Sequence, residues 1–487
     1  MSELLISKKN EVYLKIECEP HIKYELSDQF TFDVPEAAFM PSYRSKHWDG
    51  KIRLFSPHTG EIYCGLLDRL ITWCGEHEYK MKFESNKYYG DVLESNPMVT
   101  MEGVKSFMTS ITSFKPRDYQ VKAVYQALKN NRKLIISPTA SGKSMMIYSV
   151  VRYHVAKGEK ILIVVPTTSL VEQMYKDFID YGWDAEAHCH KIYAGYEKIS
   201  DKDVTITTWQ SIYKMPKKYF DEFTTVIGDE AHQFKAKSLT GIMTKCHNAK
   251  YRIGFTGTLD GTKTHKWVLE GLFGPADKIV NTEELIDQGY LSKFEIKVLI
   301  LKHEYQKFET YEDEIQFLIN NDRRNKFISN LALDLKGNTL ILYSRVSTHG
   351  QVIYDLLNNS KTQDRKVFFI HGGVNTDERE DVRKITESED NAIIVASYGT
   401  FSTGINIKNL HNVIFSSPSK SRIRNLQSIG RVLRKGQAKN LATLYDVSDD
   451  VTNKNGKKNY ILNHLVERIK IYNEENFDYQ IINIDFR

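Results

Sequence analysis

Residues 137–144 read SPTASGKS and follow the apolar run Leu134-Ile135-Ile136. A short buried strand, a loop of small residues ending Gly-Lys-Ser, and then a helical stretch make a phosphate-cradling loop. Loop N–H groups point at phosphate oxygens, the lysine neutralises them, and the serine hydroxyl reaches a bound Mg²⁺. In this chain Lys143 and Ser144 take those roles, and Ser137, Pro138, Thr139, Ala140, Ser141 and Gly142 form the cradle. Ser137 stands where such loops usually begin with glycine.

The loop sits in a repeating texture. Apolar, β-branched runs recur at 134–136, 161–165, 204–206, 226–227 and 252–255, separated by amphipathic stretches. Strands alternating with helices predict a parallel sheet covered on both faces. A second set at 339–343, 367–370, 393–396, 413–415 and 442–445 predicts another. Residues 282–337 read as a charged, helical link, and 460–475 as a packing helix. Residues 1–100 carry short alternating segments and turn signals, a small α+β domain. The expected organisation is 1–100, 101–281, 282–455 and 456–487.

Bulk properties agree. A 487-residue chain is too long for one core. Its 41% hydrophobic and 26% charged residues are those of a globular protein. The net charge of +5 spreads over 67 cationic and 62 anionic residues, with no polybasic tail. Five widely spaced cysteines argue against a disulfide framework and for a reducing compartment. No signal peptide and no run of ~18 apolar residues is present, so the expected location is cytoplasmic, with no membrane partner.

Several segments after the expected strands carry chemistry. Asp229-Glu230-Ala231-His232 follows Val226-Ile227. Beside a P-loop on a neighbouring strand, Asp229 can hold Mg²⁺ and Glu230 can orient or deprotonate water. Such a pair alone is commonly a solvated turn; here strand, carboxylates and loop come in the required order. Arg117 and Gln120, upstream of the loop, can meet a nucleotide, the Gln120 amide by a two-pronged contact with adenine. Arg431 and Arg434, three apart on an expected helix, share a face and can stabilise a transferred phosphoryl group, although an Arg pair is ordinarily a salt-bridged surface. Thr167, Thr208, Gln210, Arg345 and Thr400 end or follow strands and offer groups for phosphodiester oxygens; each also suits a helix cap or turn. Near the N-terminus, Tyr43, Trp48 and Phe55 interleave with Arg44, Lys46, Lys51 and Arg53, cations for phosphates and aromatics for unpaired bases. A basic hairpin with buried aromatics is the alternative.

In this order and in two sets, these motifs resemble the superfamily 2 helicases and translocases, from about residue 114 to 447. The resemblance implies an α/β protein of two tandem RecA-like parallel-sheet domains preceded by the small α+β domain. It implies ATP and Mg²⁺ as cofactors, Gln120 at adenine, Gly404 and Asn406 toward the nucleotide, and Arg431 and Arg434 acting from the second domain. Asn406 stands where many members have a ribose-contacting aspartate. Segment 39–50 and the overall layout resemble the T-even phage branch of that family. Its members remodel branched DNA (forks, Holliday junctions, D-loops, and R-loops with their RNA strand) in recombination, repair and replication. That implies DNA as partner and host cytoplasm for a phage-encoded chain, and nothing in the sequence demands more than a monomer. An RNA helicase, or an ATP-switched binding and annealing protein, remains the alternative.

Overall fold

Five aliphatic residues in succession leave a strand no polar face, so both sides must be covered. Ile161–Val165 is such a strand, and in the computed structural model every residue of it is buried. The structure describes residues 3–34, 37–362, 364–404, 407, 409–417, 419–434, 441–452 and 458–487. Two compact units form, one from Met1–Ser137 and Gly142–Ile279, the other from Val280–Arg487 with Pro138–Ser141.

The first unit opens with strands β1 (Glu3–Lys8), β2 (Tyr13–Glu17), β3 (Thr31–Asp33), β4 (Lys51–Arg53), β5 (Phe55–Ser56), β6 (Glu61–Tyr63) and β7 (Lys80–Glu84). They make a mixed sheet ordered β5-β6-β2-β1-β7 and a separate β3-β4 pair. Alternation along β1 and β2 sends Leu4, Ile6, Leu14 and Ile16 inward. Helices Pro20–Gln29 and Leu67–Glu76 supply Ile22, Leu26, Leu70 and Trp73 to the same core. This is the expected α+β domain.

The loop-bearing sheet follows: β8 (Arg132–Ile136), β9 (Ile161–Val165), β10 (Cys189–Ile192), β11 (Val204–Thr208), β12 (Thr225–Asp229), β13 (Tyr251–Thr256) and β14 (Ala276–Lys278). Its order is β10-β11-β9-β12-β13-β8-β14, with every pairing parallel. The expected strands are all present, and β10 and β14 extend the sheet at its edges. One expectation is corrected. β12, which carries the acidic pair, does not adjoin the loop strand β8, because β13 lies between them.

The second unit holds β15 (Lys293–Lys302), β16 (Thr339–Tyr343), β17 (Val367–Ile370), β18 (Ile393–Ser397), β19 (Asn412–Phe415), β20 (Leu441–Asp450) and β21 (Tyr479–Asp485). They form a second RecA-like parallel sheet, ordered β17-β18-β16-β19-β20-β15-β21. Residues 282–337 are therefore not a helical link. They contain β15, ten residues long and paired with β20 and β21. Lysines and a glutamate interleave with Phe294, Ile296 and Val298, and acidic helices follow, which hides the strand from a composition reading. Helix Tyr460–Glu474 forms as expected, and β21 follows it. It buries Arg468, whose guanidinium takes both oxygens of the equally buried Asp446 at 2.8 and 2.9 Å, with the Tyr472 hydroxyl donating to the same carboxylate at 2.8 Å. No helix among the described residues is long and apolar enough to cross a membrane.

Candidate active site

The phosphate loop joins β8 to helix Lys143–Val155. Its first residue is tied laterally, Ser137 N–H donating to the Thr256 carbonyl of β13 at 2.9 Å. Ala140 and Gly142 both have left-handed backbones, φ +69° and +81°. Non-glycine residues adopt that conformation at a cost of about 1–2 kcal/mol. Two such residues in three positions curl the chain so that its N–H groups can converge on an anion. The left-handed backbone favours glycine at 142, and a Cβ there would lie 2.4 Å from Gln120 Nε2, the mobile end of that side chain. The Lys143 ammonium donates to the Ser137 carbonyl at 3.3 Å.

The structure brings Gln120 to this loop, its amide beside Gly142. Gln120 lies in the first turn of helix Asp118–Lys129, 6% exposed, and its Oε1 accepts the Arg117 N–H at 2.9 Å.

Asp229 ends the wholly buried β12, and Glu230 follows it in a left-handed turn at φ +49°. Glu230 N–H donates to Asp229 Oδ1 at 2.9 Å. Burial, and then the Glu230 charge, push the Asp229 carboxyl up to about 7, and the Lys143 ammonium works in the opposite direction. A cation there would relieve both causes. The hard oxygens of Asp229 and Ser144 suit Mg²⁺, which takes few protein ligands and completes its shell with phosphates and water.

A hydrogen-bonded chain leaves this acidic turn. His232 Nδ1 lies 3.3 Å from Glu230 Oε2 and 3.0 Å from Thr256 Oγ1, and Thr256 Oγ1 donates to the Thr258 carbonyl at 3.1 Å. The backbone carbonyl of His232 is met by His265 Nε2 at 2.8 Å, and His265 Nδ1 lies 2.9 Å from Asp260 Oδ1. Burial works against ionising Asp260. Hydrogen bonds from His265 and Thr262 outweigh it and hold the carboxyl well below the carboxylate range. His265 and Asp260 escaped the sequence reading. They lie 33 and 28 positions beyond His232, with no local motif to mark them.

His265 belongs to helix Lys263–Phe273, which also seats the N-terminal domain. Trp267 packs against Phe30 and Phe32, with ring centroids at 5.4 and 5.1 Å. Buried Glu270 takes Arg69 Nε and Nη2, each at 3.1 Å. Gly65 lies so close that a Cβ would stand 2.0 Å from the Glu270 carbonyl oxygen. None of these residues forms a pattern legible in sequence.

In the second unit, Arg431 lies in the last turn of helix Arg422–Val432, with its guanidinium 5.7 Å from the Phe401 ring centroid. Arg434 does not share that helical face. The helix ends at Val432, Leu433 O accepts the Ser292 N–H at 2.9 Å, and Arg434 bridges Leu291 in extended backbone. The chain leaves the helix because those main-chain groups pair with the segment preceding β15. Thr400 is nearly buried and shares a 2.8 Å hydrogen bond with Ser397. Gly404 closes helix Tyr398–Gly404, and Asn406 lies outside the described residues. Arg345 pairs in the open with both oxygens of Glu312, at 2.8 and 2.7 Å.

Of the remaining candidates, Thr167 caps helix Thr168–Asp180, accepting Leu170 N–H at 3.4 Å, and Thr208 bonds Ser211 at 2.9 Å. Gln210 is exposed. Arg44 and Lys46 are exposed too, and the Trp48 indole donates to the Lys51 carbonyl at 2.8 Å. Phe55 is core, 1% exposed, which removes it from the surface set, whereas Phe39 and Tyr43 are 71% and 42% exposed.

Residues 113–261 match the family described as the res subunit of type III restriction enzymes. Residues 6–84 match that of the DNA helicase UvsW N-terminal domain, and 322–436 the helicase conserved C-terminal domain. The chain is 34% identical over 489 residues to the ATP-dependent DNA helicase uvsW of Enterobacteria phage T4, across 96% of each chain. It is 24% identical over 355 residues to the DNA 3'-5' translocase XPB2 of Sulfurisphaera tokodaii, across 66% of this chain and 78% of that one. The crystal structure of T4 UvsW aligns over 99% of both chains, with a TM-score of 0.52 and 31% identity.

Proposed function

The chain belongs to the family of the phage T4 UvsW DNA helicase, and from that membership we propose that it is an ATP-dependent DNA helicase and translocase remodelling forks, Holliday junctions, D-loops and R-loops. Recombination, repair and replication restart are the processes such remodelling serves. Strand annealing without ATP is compatible with the same surfaces. The chain is an ATP hydrolase, and one observation carries the mechanism. Buried Asp229, partly exposed Glu230 and a lysine-bearing loop stand at the carboxyl edge of one parallel sheet, where open sheets of this kind bind ligands.

Gln120 and Arg117 hold the adenine end. The loop from Ser137 to Ser144 receives the phosphates, and Lys143 leaves the Ser137 carbonyl for their oxygens. Ser144 and Asp229 hold Mg²⁺, which supplies positive charge to the phosphates when bound. Glu230 orients and deprotonates the attacking water. Arg431 and Arg434 of the second unit stabilise the charge that develops on the transferred phosphoryl group, and Gly404 and Asn406 complete the nucleotide contacts. Thr167, Thr208, Gln210, Arg345 and Thr400 hold phosphodiester oxygens. The Arg345–Glu312 pair is exposed and worth at most ~1 kcal/mol, so a phosphate can displace it. Arg44, Lys46 and Trp48 meet the branch. Differential affinity for DNA before and after hydrolysis converts turnover into movement. The working form is a monomer in the cytoplasm, that of the host for a phage-encoded chain.

Lys143→Ala tests this reading. Fork-stimulated ATP turnover and unwinding should vanish while fork binding survives. Turnover at the wild-type rate would refute the assignment of the loop. Matched all-DNA and all-RNA forks separate DNA from RNA unwinding, since only the 2′-hydroxyl distinguishes their backbones.

A further inference from the structure

A cleft of about 580 Å³ opens between the N-terminal domain and helix Lys263–Phe273. The walls present Arg69 and Thr72 from one side and Lys263 and Lys266 from the other, with Trp73 and Trp267 beneath. The indoles are only 3% and 6% exposed, so no base can stack on them. Trp267 is instead already covered by cations, the Lys263 ammonium 4.5 Å and the Arg69 guanidinium 5.3 Å from its ring centroid. A ligand entering the cleft therefore meets the charges, not the rings.

Those charges differ in availability. Arg69 is committed to buried Glu270 through two hydrogen bonds. Lys266 is only loosely engaged, 3.9 Å from the same carboxylate, and its side chain is 43% exposed. Lys263 is exposed and rests on aromatic faces, those of Trp267 and Phe32. Exposed Glu76 is the one carboxylate in the lining among the described residues. The cleft is too large for a single anion and offers two displaceable ammonium groups with flanking hydroxyls. That set reads backbone and ignores sequence, which suits a substrate defined by its branching.

Resting on the helicase reading above, we infer that this seam is a second DNA-contact site, taking the sugar–phosphate backbone of a branch through Lys263 and Lys266. The site has a direct connection to catalysis. The helix that carries both lysines also carries His265, whose imidazole holds the His232 carbonyl of the acidic turn at 2.8 Å. A strand seated in the cleft thus bears on the helix that positions the DEAH loop.

The test is the salt dependence of fork-DNA binding by the full chain, read by fluorescence anisotropy. Each phosphate contact contributes about 0.9 to the slope of log K against log salt. Lys263→Ala/Lys266→Ala should therefore lower that slope by about 1.8. Lys105→Ala/Lys157→Ala, which removes two exposed lysines outside the cleft, should leave it unchanged. Lys263→Glu/Lys266→Glu, assayed well below its unfolding midpoint, should weaken fork binding further at low salt. An unchanged slope in the cleft variant, or an equal fall in both double-alanine variants, overturns the site. The helicase reading fails separately, in absent ATP turnover by the wild-type chain, because the binding slope needs no hydrolysis.

Discussion

Gly65→Ala should pry the N-terminal domain from the ATP-binding sheet, and the size of the effect follows from three backbone atoms. A Cβ at this position would lie 2.0 Å from the Glu270 carbonyl oxygen, 2.7 Å from that of Gly271 and 2.8 Å from the Gly274 nitrogen. Ordinary contact begins at 3.4 Å, so the two backbones must part by the difference, about 1.4 Å. No side-chain rotation can relieve a collision with main chain inside a helix. The same movement would carry the Arg69–Glu270 contacts from 3.1 Å to about 4.5 Å, beyond hydrogen-bond reach, and would loosen Trp267 from Phe30 and Phe32. Overpacking of this kind costs about 1–3 kcal/mol. Arg69 is 39% exposed, so its screened pair adds at most ~1 kcal/mol. Urea unfolding followed by tryptophan fluorescence should register a loss of about 1–4 kcal/mol, with Trp73 and Trp267 reporting from the seam. A loss under ~0.5 kcal/mol, the range of an ordinary surface substitution, would show that the two backbones do not meet as described.

Other outcomes follow from the same contacts. Glu230→Gln keeps the shape of the acidic turn but removes the base, and should lower kcat at saturating ATP by ~10²–10⁴-fold, with nucleotide affinity, measured by equilibrium titration, little changed. Arg468→Leu strands the fully buried Asp446 and should cost about 3–5 kcal/mol, whereas the double variant with Asp446→Leu should recover most of that loss in the same unfolding assay. Burial, and then the nearby Arg324 charge, hold the His349 imidazole down to about 3. The folded chain keeps it neutral while the unfolded chain gains a proton below ~6.5. Stability is therefore intact above that pH and falls by up to ~1.4 kcal/mol per unit as pH drops toward 4, and His349→Gln should flatten this part of a denaturation-midpoint profile.

The segments that carry the proposed nucleotide site were legible because they are local. A β-branched run makes a strand, small residues make a curled loop, and Lys143, Ser144, Asp229 and Glu230 sit within a few positions of strand ends that any parallel sheet places on one edge. The same locality explains what could not be read. The strand β15 hides its apolar face between charges, and its partners β20 and β21 lie well over a hundred residues away in sequence. Arg434 is three residues from Arg431, yet pairing with Leu291 takes it off the helix. His265 reaches His232, and Gly65 reaches Glu270, only across the packed first unit. Burial and close approach between distant segments are properties of the whole packed chain. Sequence thus determined two parallel sheets and the strand, loop and helix that carry the proposed phosphate site. Tertiary packing alone decided that Asp229 is buried and its acidity shifted, that β13 separates the acid pair from its loop, and that the N-terminal domain and the DEAH loop are held by a single helix.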